Sequence, residues 1–438
     1  MNAFFNKIIQ WVDKQTHDVF KGGIKVLNFK LTKILKYFLF FILSLIYFPI
    51  FLLIRIISNV YLIRFGFLPS SRIGDFANDV NLYLCTKEKT TFQIDLFYLK
   101  KPVCNNFLLK VYKRYLFILP EFMINPFILL NKIKFIGNEK HIVKLTKYHN
   151  SFDLRNRDED DKRIDYFNSE DLKIGQSYLE SLGIKKNDKY VCLLCRDPSY
   201  VKEMFENTYS SEYLRDGDNS TFRYMDIENF RQASEYLLDL GYYVIRLGES
   251  NSKQLLINNN KYIDYASSGR KTPFLDIYLS SNCEIFLSSG AGIDIMAAIF
   301  NRPIVFASYT TIAHARSVNK KQLQIFKNLK NIKTGKNLTL SEIFDLNLAG
   351  AEKTNLFQEK KIELIQNNAQ EIQEAVEDML ELIRNNFEIS EEKKYYHDKF
   401  WSLFEKKIDK YGFKFAHSKL FKAHIGYKFL KNNKNFLE

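Results

Sequence analysis

The sequence predicts an α/β protein made of two facing lobes, each a parallel, doubly wound sheet, behind an apolar N-terminal helix that associates with a membrane. Three observations predict this. Short apolar runs alternate with stretches of helical period from about residue 60 to residue 385. An 18-residue run without charge, Tyr37–Ile54, stands ahead of them. A chain of 438 residues with 46% hydrophobic content, 17 Gly and 8 Pro can bury more than one core and is neither a disordered polyelectrolyte nor a fibrous repeat. The boundaries read as 1–58 for the membrane-associated segment, 59–165 for the first lobe, 166–385 for the second and 386–438 for a basic-aromatic helical tail.

Tyr37–Ile54 (YFLFFILSLIYFPIFLLI) meets the lower length limit of a spanning helix. It begins too far into the chain for a cleavable signal and has no small-residue cleavage site, so it is read as retained. Pro49 lies inside it, where proline kinks a helix and suits a one-sided, re-entrant insertion. Lys30, Lys33 and Lys36 precede the run and Arg55, Arg64 and Arg72 follow it, so both flanks are basic and no spanning orientation is specified. A span and a monotopic insertion both remain open. Phe4, Phe5, Ile8, Ile9 and Val12 recur at helical spacing opposite Lys7 and Lys14, an interfacial pattern. In the tail, Phe413, Phe415, Leu420, Phe421 and Phe429 alternate with Lys414, Lys419, Lys422, Lys428 and Lys431; this reads either as a second contact with anionic lipid or as an ordinary surface helix.

In the first lobe, Val60–Leu68 is a strand that stops at Pro69-Ser70-Ser71, and Asp75–Cys85 is a helix carrying Phe76, Val80, Tyr83 and Leu84. Arg72-Ile73-Gly74-Asp75 is therefore a strand-to-helix turn. Ile94–Tyr98 reads as a strand, Phe107–Phe122 as a helix and Ile133–Ile136 as a further strand, before the charge-rich connector Arg155–Lys162. In the second lobe a helix starts at Ser169 and ends near Gly183, followed by strand Lys189–Cys195, helix Asp226–Leu240 and strand Tyr242–Leu247. Strand Ile285–Leu287, helix Gly292–Phe300, strand Ile304–Phe306 and the amphipathic helix Lys361–Arg384 complete it.

Lys and Arg outnumber Asp and Glu by 64 to 50, which favours an anionic partner. Five scattered cysteines (85, 104, 192, 195 and 283) argue for a reducing compartment. The Cys192-x-x-Cys195 pair lies on a strand that points the two thiols to opposite faces, and no second pair completes a zinc site. No His pair has ligand spacing either, and only His314 falls near the strand-end loops, so no protein-bound metal is expected.

The sharpest local feature is Ser288-Ser289-Gly290-Ala291-Gly292 between a strand and a helix. Small residues leave backbone N–H groups accessible there, which suits a diphosphate at the carboxyl end of a sheet. The loop matches neither G-x-G-x-x-G, nor a Walker P-loop, nor G-x-S-x-G, which removes the usual support for a dinucleotide oxidoreductase, a P-loop kinase and an α/β-hydrolase. Arg196 and Arg223 end or open neighbouring loops. Each either clamps phosphate bidentately or pairs with Asp197 or Asp226. Asp75 either caps its helix or, facing the cleft, accepts a proton from a hydroxyl.

The stretches RIGDFANDVNLYL (72–84), CRDPSY (195–200), FRYMDIENFRQASEYLLDLGYYVIRLG (222–248), FLDIYLSSNCEIFLSSGAGIDIMAAIFNRPIVF (274–306) and IELIQNNAQEIQEAVEDML (362–380) together resemble a family of glycosyltransferases of bacterial surface-polysaccharide gene clusters. More distantly, the strand, I-G-D turn and helix at 73–75 and the late glycine-rich loop look like heptosyltransferases. The resemblance implies GT-B architecture, two Rossmann-like lobes with the nucleotide-sugar in the second and the acceptor in the first. It implies Asp75 as catalytic base. It also implies a diphosphate site at Ser289, Gly290, Ala291, Gly292 and Ile293 assisted by Arg196 and Arg223, with Asp294, Glu363 and Asn367 toward the sugar or nucleoside. On this reading the chain is a metal-independent, inverting glycosyltransferase without cofactor, its nucleotide-sugar being substrate. Its acceptor is lipid-linked or a surface glycan, at the cytoplasmic face of the bacterial inner membrane. The alternatives are another enzyme using an activated sugar, and a membrane-tethered scaffold with a degenerate site; no nucleic-acid motif is present.

Overall fold

The computed structural model describes residues 2–87, 92–145, 164–210, 219–250, 252–412 and 420–438. The connector Arg155–Lys162, the tail residues Phe413, Lys414, Phe415 and Lys419, and the side chains of Phe4, Lys7 and Ile8 lie outside what is described. The chain divides into two compact units. One comprises Met1–Arg72, Thr86–Lys147 and Pro198–Asp218; the other comprises Ile73–Cys85, Tyr148–Asp197 and Asn219–Glu438.

The first unit begins with helix α1 (Asn2–Ile57). Its break falls at Gly23, which has left-handed φ 65°, and not at Pro49, through which the helix runs on. Behind α1, strands β1 (Leu62–Leu68), β2 (Gln93–Leu99), β3 (Phe117–Ile118) and β4 (Ile142–Val143) form a parallel sheet in the order β3-β2-β1-β4. Helix α2 (Ile73–Thr86) follows β1 in the chain and, up to Cys85, belongs to the second unit. The segment read as one helix, Phe107–Phe122, is α3 (Asn106–Tyr112), then β3, then α4 (Glu121–Asn131). Pro120 has no amide hydrogen to continue a helix and stands instead just ahead of α4, with φ −55° and ψ 143°. Ile133–Ile136, read as a strand, is a turn closed by Gly137 N–H donating to Ile133 O at 2.7 Å.

One stripe of α1 is covered. Phe40, Ser44, Phe51 and Ile54 are buried three, four and seven apart, and Phe51 and Ile54 share a cluster with Phe65 on β1 and Ile124, Phe127 and Ile128 on α4. Tyr47 stacks on Phe127 with centroids 5.4 Å apart. Each fully buried ring or branched aliphatic side chain in such a contact contributes about 1.5–3 kcal/mol.

The second unit carries a seven-stranded parallel sheet of β5 (Tyr190–Leu194), β6 (Tyr243–Arg246), β7 (Tyr262–Asp264), β8 (Ile285–Ser288), β9 (Ile304–Tyr309), β10 (Gln322–Phe326) and β13 (His424–Ile425), in the order β13-β10-β9-β8-β5-β6-β7. Strands β11 (Asn328–Asn331) and β12 (Ile362–Ile365) pair antiparallel beside it. Alternation along β5 sorts side chains to the two faces. Val191 and Leu193 enter one core with Phe230 and Leu237, while Tyr190, Cys192 and Leu194 enter the other with Leu279 and Phe286. The thiols of Cys192 and Cys195 accordingly meet different carbonyls, Leu279 O at 3.4 Å and Met225 O at 3.2 Å.

Several boundaries in this unit differ from the sequence reading. The helix at Ser169 is capped one residue earlier, by an Asn168–Asp171 capping box. The helix read from Asp226 opens as a 3-10 turn (Ile227–Phe230) before its α segment Arg231–Asp239. Lys361 takes left-handed φ 55°, so Ile362–Ile365 extends as β12 and the amphipathic helix begins only at Ala369, capped by Asn368 and Glu371. The tail belongs to the second unit. Its helix Glu391–Lys410 buries Phe400, Trp401, Phe404 and Ile408, β13 adds to the sheet edge, and Phe421 stacks on Trp401 at 4.8 Å. Phe421 and Phe429 therefore face protein and not lipid.

Candidate functional site

In the second unit β5 is the first strand in the chain and lies inside the sheet. The chain moves outward from it through β6 and β7 on one side and through β8, β9 and β10 on the other. Loops leaving two such strands diverge at the carboxyl edge, the place where α/β sheets take ligands. The loops in question follow β5 and β8. They are tied together: Ser289 N–H donates to Leu194 O at 3.2 Å, and Arg196 N–H donates to Ser289 Oγ at 2.7 Å.

The glycine-rich loop is built around Ser288. Its hydroxyl donates to Asp294 Oδ2 at 2.7 Å and accepts from Gly290 N–H at 2.9 Å and Ala291 N–H at 3.3 Å. Two of the amides expected to hold a diphosphate are thus committed within the loop. Those of Gly292 and Ile293 make no hydrogen bond among the described residues. Gly290 has φ +80°, which a side chain would strain, and the Tyr309 ring lies 3.4 Å from where its Cβ would stand. Asp294 is buried, and burial raises its carboxyl pKa against the opposing pull of Arg316 and the Ser288 hydrogen bond. It anchors the loop. The helix that follows is only Asp294–Ile299, shorter than the Gly292–Phe300 read from the sequence.

Positive charge gathers on the same loop. Arg223 Nη2 donates to Gly290 O at 2.8 Å. Asp226, the alternative ion-pair partner, is held by Lys253 at 2.7 Å, which lowers its carboxyl pKa, and its other role is to accept from Glu228 N–H. The segment bearing Arg223 is fixed from beneath by Lys327, whose buried ammonium donates to Phe222 O and Tyr224 O, each at 2.8 Å. Burial lowers the Lys327 pKa to about 8. His314, whose carbonyl accepts from Tyr309 Oη–H at 3.1 Å, is held near pKa 4 by burial and then by Arg316 and Arg223. Arg316 and His314 thus join the loop, although only His314 drew attention in the sequence. Neither lies in a glycine-rich or acid-paired motif, and the only signal was their position shortly after β9.

Asp75 is in the first turn of α2, two residues inside the helix start at Ile73, so it is not the residue ahead of the helix. The turn that carries it lies directly on the glycine-rich loop. A Cβ on Gly74 would stand 3.2 Å from Gly292 Cα, and one on Gly292 would stand 3.0 Å from Gly74 N. Two glycines thus let two backbones touch, and both belong to the second unit.

The remaining expected residues are elsewhere. Asn367 is fully buried: its Oδ1 accepts from Ser308 N–H at 2.8 Å and Ser308 Oγ–H at 3.2 Å, and its Nδ2 donates to Phe326 O at 3.0 Å and Glu371 Oε2 at 3.3 Å, so it joins β9 to β10 and has no capacity left for a nucleoside. Glu363 is exposed on β12 opposite Lys330. The Cys195 thiol is pushed up to about 12 by burial, which rules it out as a thiolate nucleophile at neutral pH. Among the described residues no group of three His, Cys, Asp or Glu has the geometry to hold a metal ion.

No protein-family model matches the chain, and no curated protein sequence matches it. Among solved structures it is similar to the ADP-heptose lipopolysaccharide heptosyltransferase II of E. coli, at 13% identity and TM-score 0.40 over 60% of this chain and 90% of that one. It is similar also to a family 9 glycosyl transferase of Veillonella parvula, at 12% identity and TM-score 0.32 over 56% of this chain and 80% of that one. A third is the iron-containing dodecameric glycosyltransferase TibC of enterotoxigenic E. coli, at 9% identity and TM-score 0.30 over 60% of this chain and 64% of that one.

Proposed function

We propose that the chain transfers a glycosyl group from a nucleotide-sugar to a hydroxyl of a lipid-linked or surface-glycan acceptor. The observation that carries the reading is the contact of Gly74 with Gly292, which sets the turn bearing Asp75 against a loop suited to a diphosphate. In this reading Asp75 takes the proton of the acceptor hydroxyl. The resulting oxygen attacks the anomeric carbon as the bond from that carbon to the diphosphate oxygen breaks, so the nucleoside diphosphate leaves and the anomeric configuration inverts. The free amides of Gly292 and Ile293 and the guanidinium groups of Arg223, Arg196 and Arg316 meet the charge that grows on the leaving group. His314, with its pKa held near 4, is neutral at pH 7 and adds no charge to the site. Ser289 ties the loop to β5, and Asp294 with Ser288 holds its shape. The acceptor's lipid accounts for α1, and the reading puts the protein at the cytoplasmic face of the bacterial inner membrane.

The test is a thermal-shift screen of detergent-solubilised full-length protein against UDP, GDP, ADP, CMP and TDP, with and without EDTA. One nucleotide should raise the midpoint, by an amount that grows with its concentration and is unaltered by EDTA. Arg223→Ala should lose the rise. Asp75→Asn should keep it while losing turnover of the matching nucleotide-sugar. A flat response from folded protein would overturn the donor reading and leave the scaffold.

A further inference from the structure

We propose that α1 lies flat in a single leaflet, as a monotopic anchor, and does not cross the bilayer. The inference rests on the membrane part of the reading above and is independent of the sugar chemistry. Its first support is how α1 is held along its whole apolar run. Lys36 pairs with Glu121 at 2.6 Å, Ser44 Oγ–H donates to Pro126 O at 3.4 Å, Tyr47 stacks on Phe127, and Arg55 Nη1–H donates to Ile136 O at 2.6 Å. The run is thus laid lengthwise on α4 and the segment after it, with Phe51 and Ile54 on β1.

That arrangement is incompatible with crossing. If Tyr37–Ile54 occupied the hydrocarbon, α4 and β1 would lie at the same depth. The open edges of a four-stranded sheet would lie there too, with the Arg64–Asp95 pair on its strands and Lys87 bound to Asp95. Unpaired sheet edges and irregular backbone are not found exposed to lipid.

The second support is the uncovered face. Opposite the buried stripe, Phe38 (62% exposed), Leu45 (61%) and Ile56 (75%) point outward, and Phe122 and Met123 of the adjoining α4 are exposed as well. Of the 18-residue window richest in apolar side chains, only 22% is buried within the protein. Residues 2–57 hold eight Lys or Arg against two Asp and no Glu, which matches anionic headgroups and opposes a second, equally basic copy of the same face. Ahead of Gly23 the helix turns back, with Lys30 Nζ donating to Gln15 O at 3.0 Å and pairing with Asp18 at 2.9 Å; Trp11 and Phe20 stay exposed there.

Phe38 and Ile56 are 18 residues apart, five whole turns, so they share one azimuth about 27 Å apart along the helix. Phe38→Trp, Leu45→Trp and Ile56→Trp in the full chain, bound to vesicles of phosphatidylcholine and phosphatidylglycerol (3:1), would be read by depth-dependent quenching with brominated lipids. The wild-type signal would be subtracted. The expected result is one common depth, about 5–10 Å below the headgroups, at all three positions. Leu45→Trp lying near the bilayer centre with the other two at the interfaces would establish a span and overturn the proposal. Absence of quenching at all three, with a dimeric mass in solution, would give the face to a second copy and overturn it as well. The paired variant Leu45→Asp/Ile56→Asp should keep its melting midpoint in detergent and bind the vesicles at least tenfold more weakly; unchanged vesicle binding counts against the proposal. A protein that gives the level profile and binds no nucleotide would lose the sugar-transfer reading and keep this one.

Discussion

Between Lys30 and Arg55 the chain is mostly aliphatic and aromatic with lysine at its start, and between Glu391 and Lys410 it again mixes lysine with aromatics. The first segment leaves Phe38, Leu45 and Ile56 facing outward, whereas the second buries Phe400, Trp401, Phe404 and Ile408. What separates them is the arrangement of polarity around the helix. In the later helix apolar side chains recur on one side and charges fill the rest, so a single protein surface satisfies it. In α1 the apolar residues go all the way round, so one stripe on α4 and β1 cannot cover them. Composition alone made both ends look lipid-facing; the periodicity of each distinguishes them.

The largest effect expected from this contrast is on stability. Phe400→Ala removes a ring stacked on Phe326 at 5.6 Å and on Phe404, and should cost the second unit about 3–5 kcal/mol. Leu53→Ala on the outer face of α1 should change detergent-phase unfolding by less than about 0.5 kcal/mol. Urea titrations of both variants check the pair. Equal losses would mean that the outer face of α1 is covered by protein.

The tail also carries a pH signature. Burial, followed by His397, Lys320 and Lys393, lowers the His424 pKa from 6.5 to about 3. A folded-state pKa below the unfolded one means that the unfolded chain takes the proton first. The contribution is whole above about pH 6.5 and is lost as pH falls toward 3, by an amount on the order of 5 kcal/mol. Asp378, which accepts from Lys428 N–H at 3.1 Å and is raised to about 6 by burial, works in the opposite sense, its native-state cost growing from about pH 4 to 6. His424→Gln should therefore flatten the acid limb of stability measured by denaturation between pH 3 and 6.5. An unchanged limb would place the sensitivity in other buried groups such as His314.

Much of this fold was legible because one-dimensional signals were strong. Alternation along Tyr190–Leu194 put Cys192 and Cys195 on opposite faces, and the alternation of short apolar runs with helical ones indicated parallel sheets. Illegible features depended on partners distant in sequence. Lys361–Ile365 carries apolar residues in phase with the helix after it, and only pairing with Asn328–Asn331 draws it into a strand. Ser288 looked like a loop residue equal to its neighbours, yet its hydroxyl takes up two of the amides that the loop was expected to offer. The approach of Gly74 to Gly292 spans more than two hundred residues, and two isolated glycines give no sign of it.

Asn367 sharpens the same lesson at intermediate size. Asn367→Ala would strand the Ser308 amide and the Phe326 carbonyl in a dry interior and should cost about 1–3 kcal/mol. Nucleotide-induced thermal shifts should persist in the variant, measured at a temperature where it is folded. A selective loss of binding at full stability would instead return Asn367 to the nucleoside.

The smallest expected effect falls on the ion pair at the start of the apolar run. Lys36 is about half exposed and its Glu121 partner about a quarter exposed, so solvent screens their attraction, and Lys36→Ala should cost no more than about 0.5 kcal/mol in detergent. The same variant removes one of the charges that anionic headgroups would meet, so its vesicle binding should weaken at low salt and converge with wild type as ionic strength rises. A stability loss of several kcal/mol would mean that the pair, rather than the stripe from Phe40 to Ile54, holds α1 on the sheet. The segment would then be free to leave α4 once in lipid, and the contrast with the buried tail would rest on a single salt bridge.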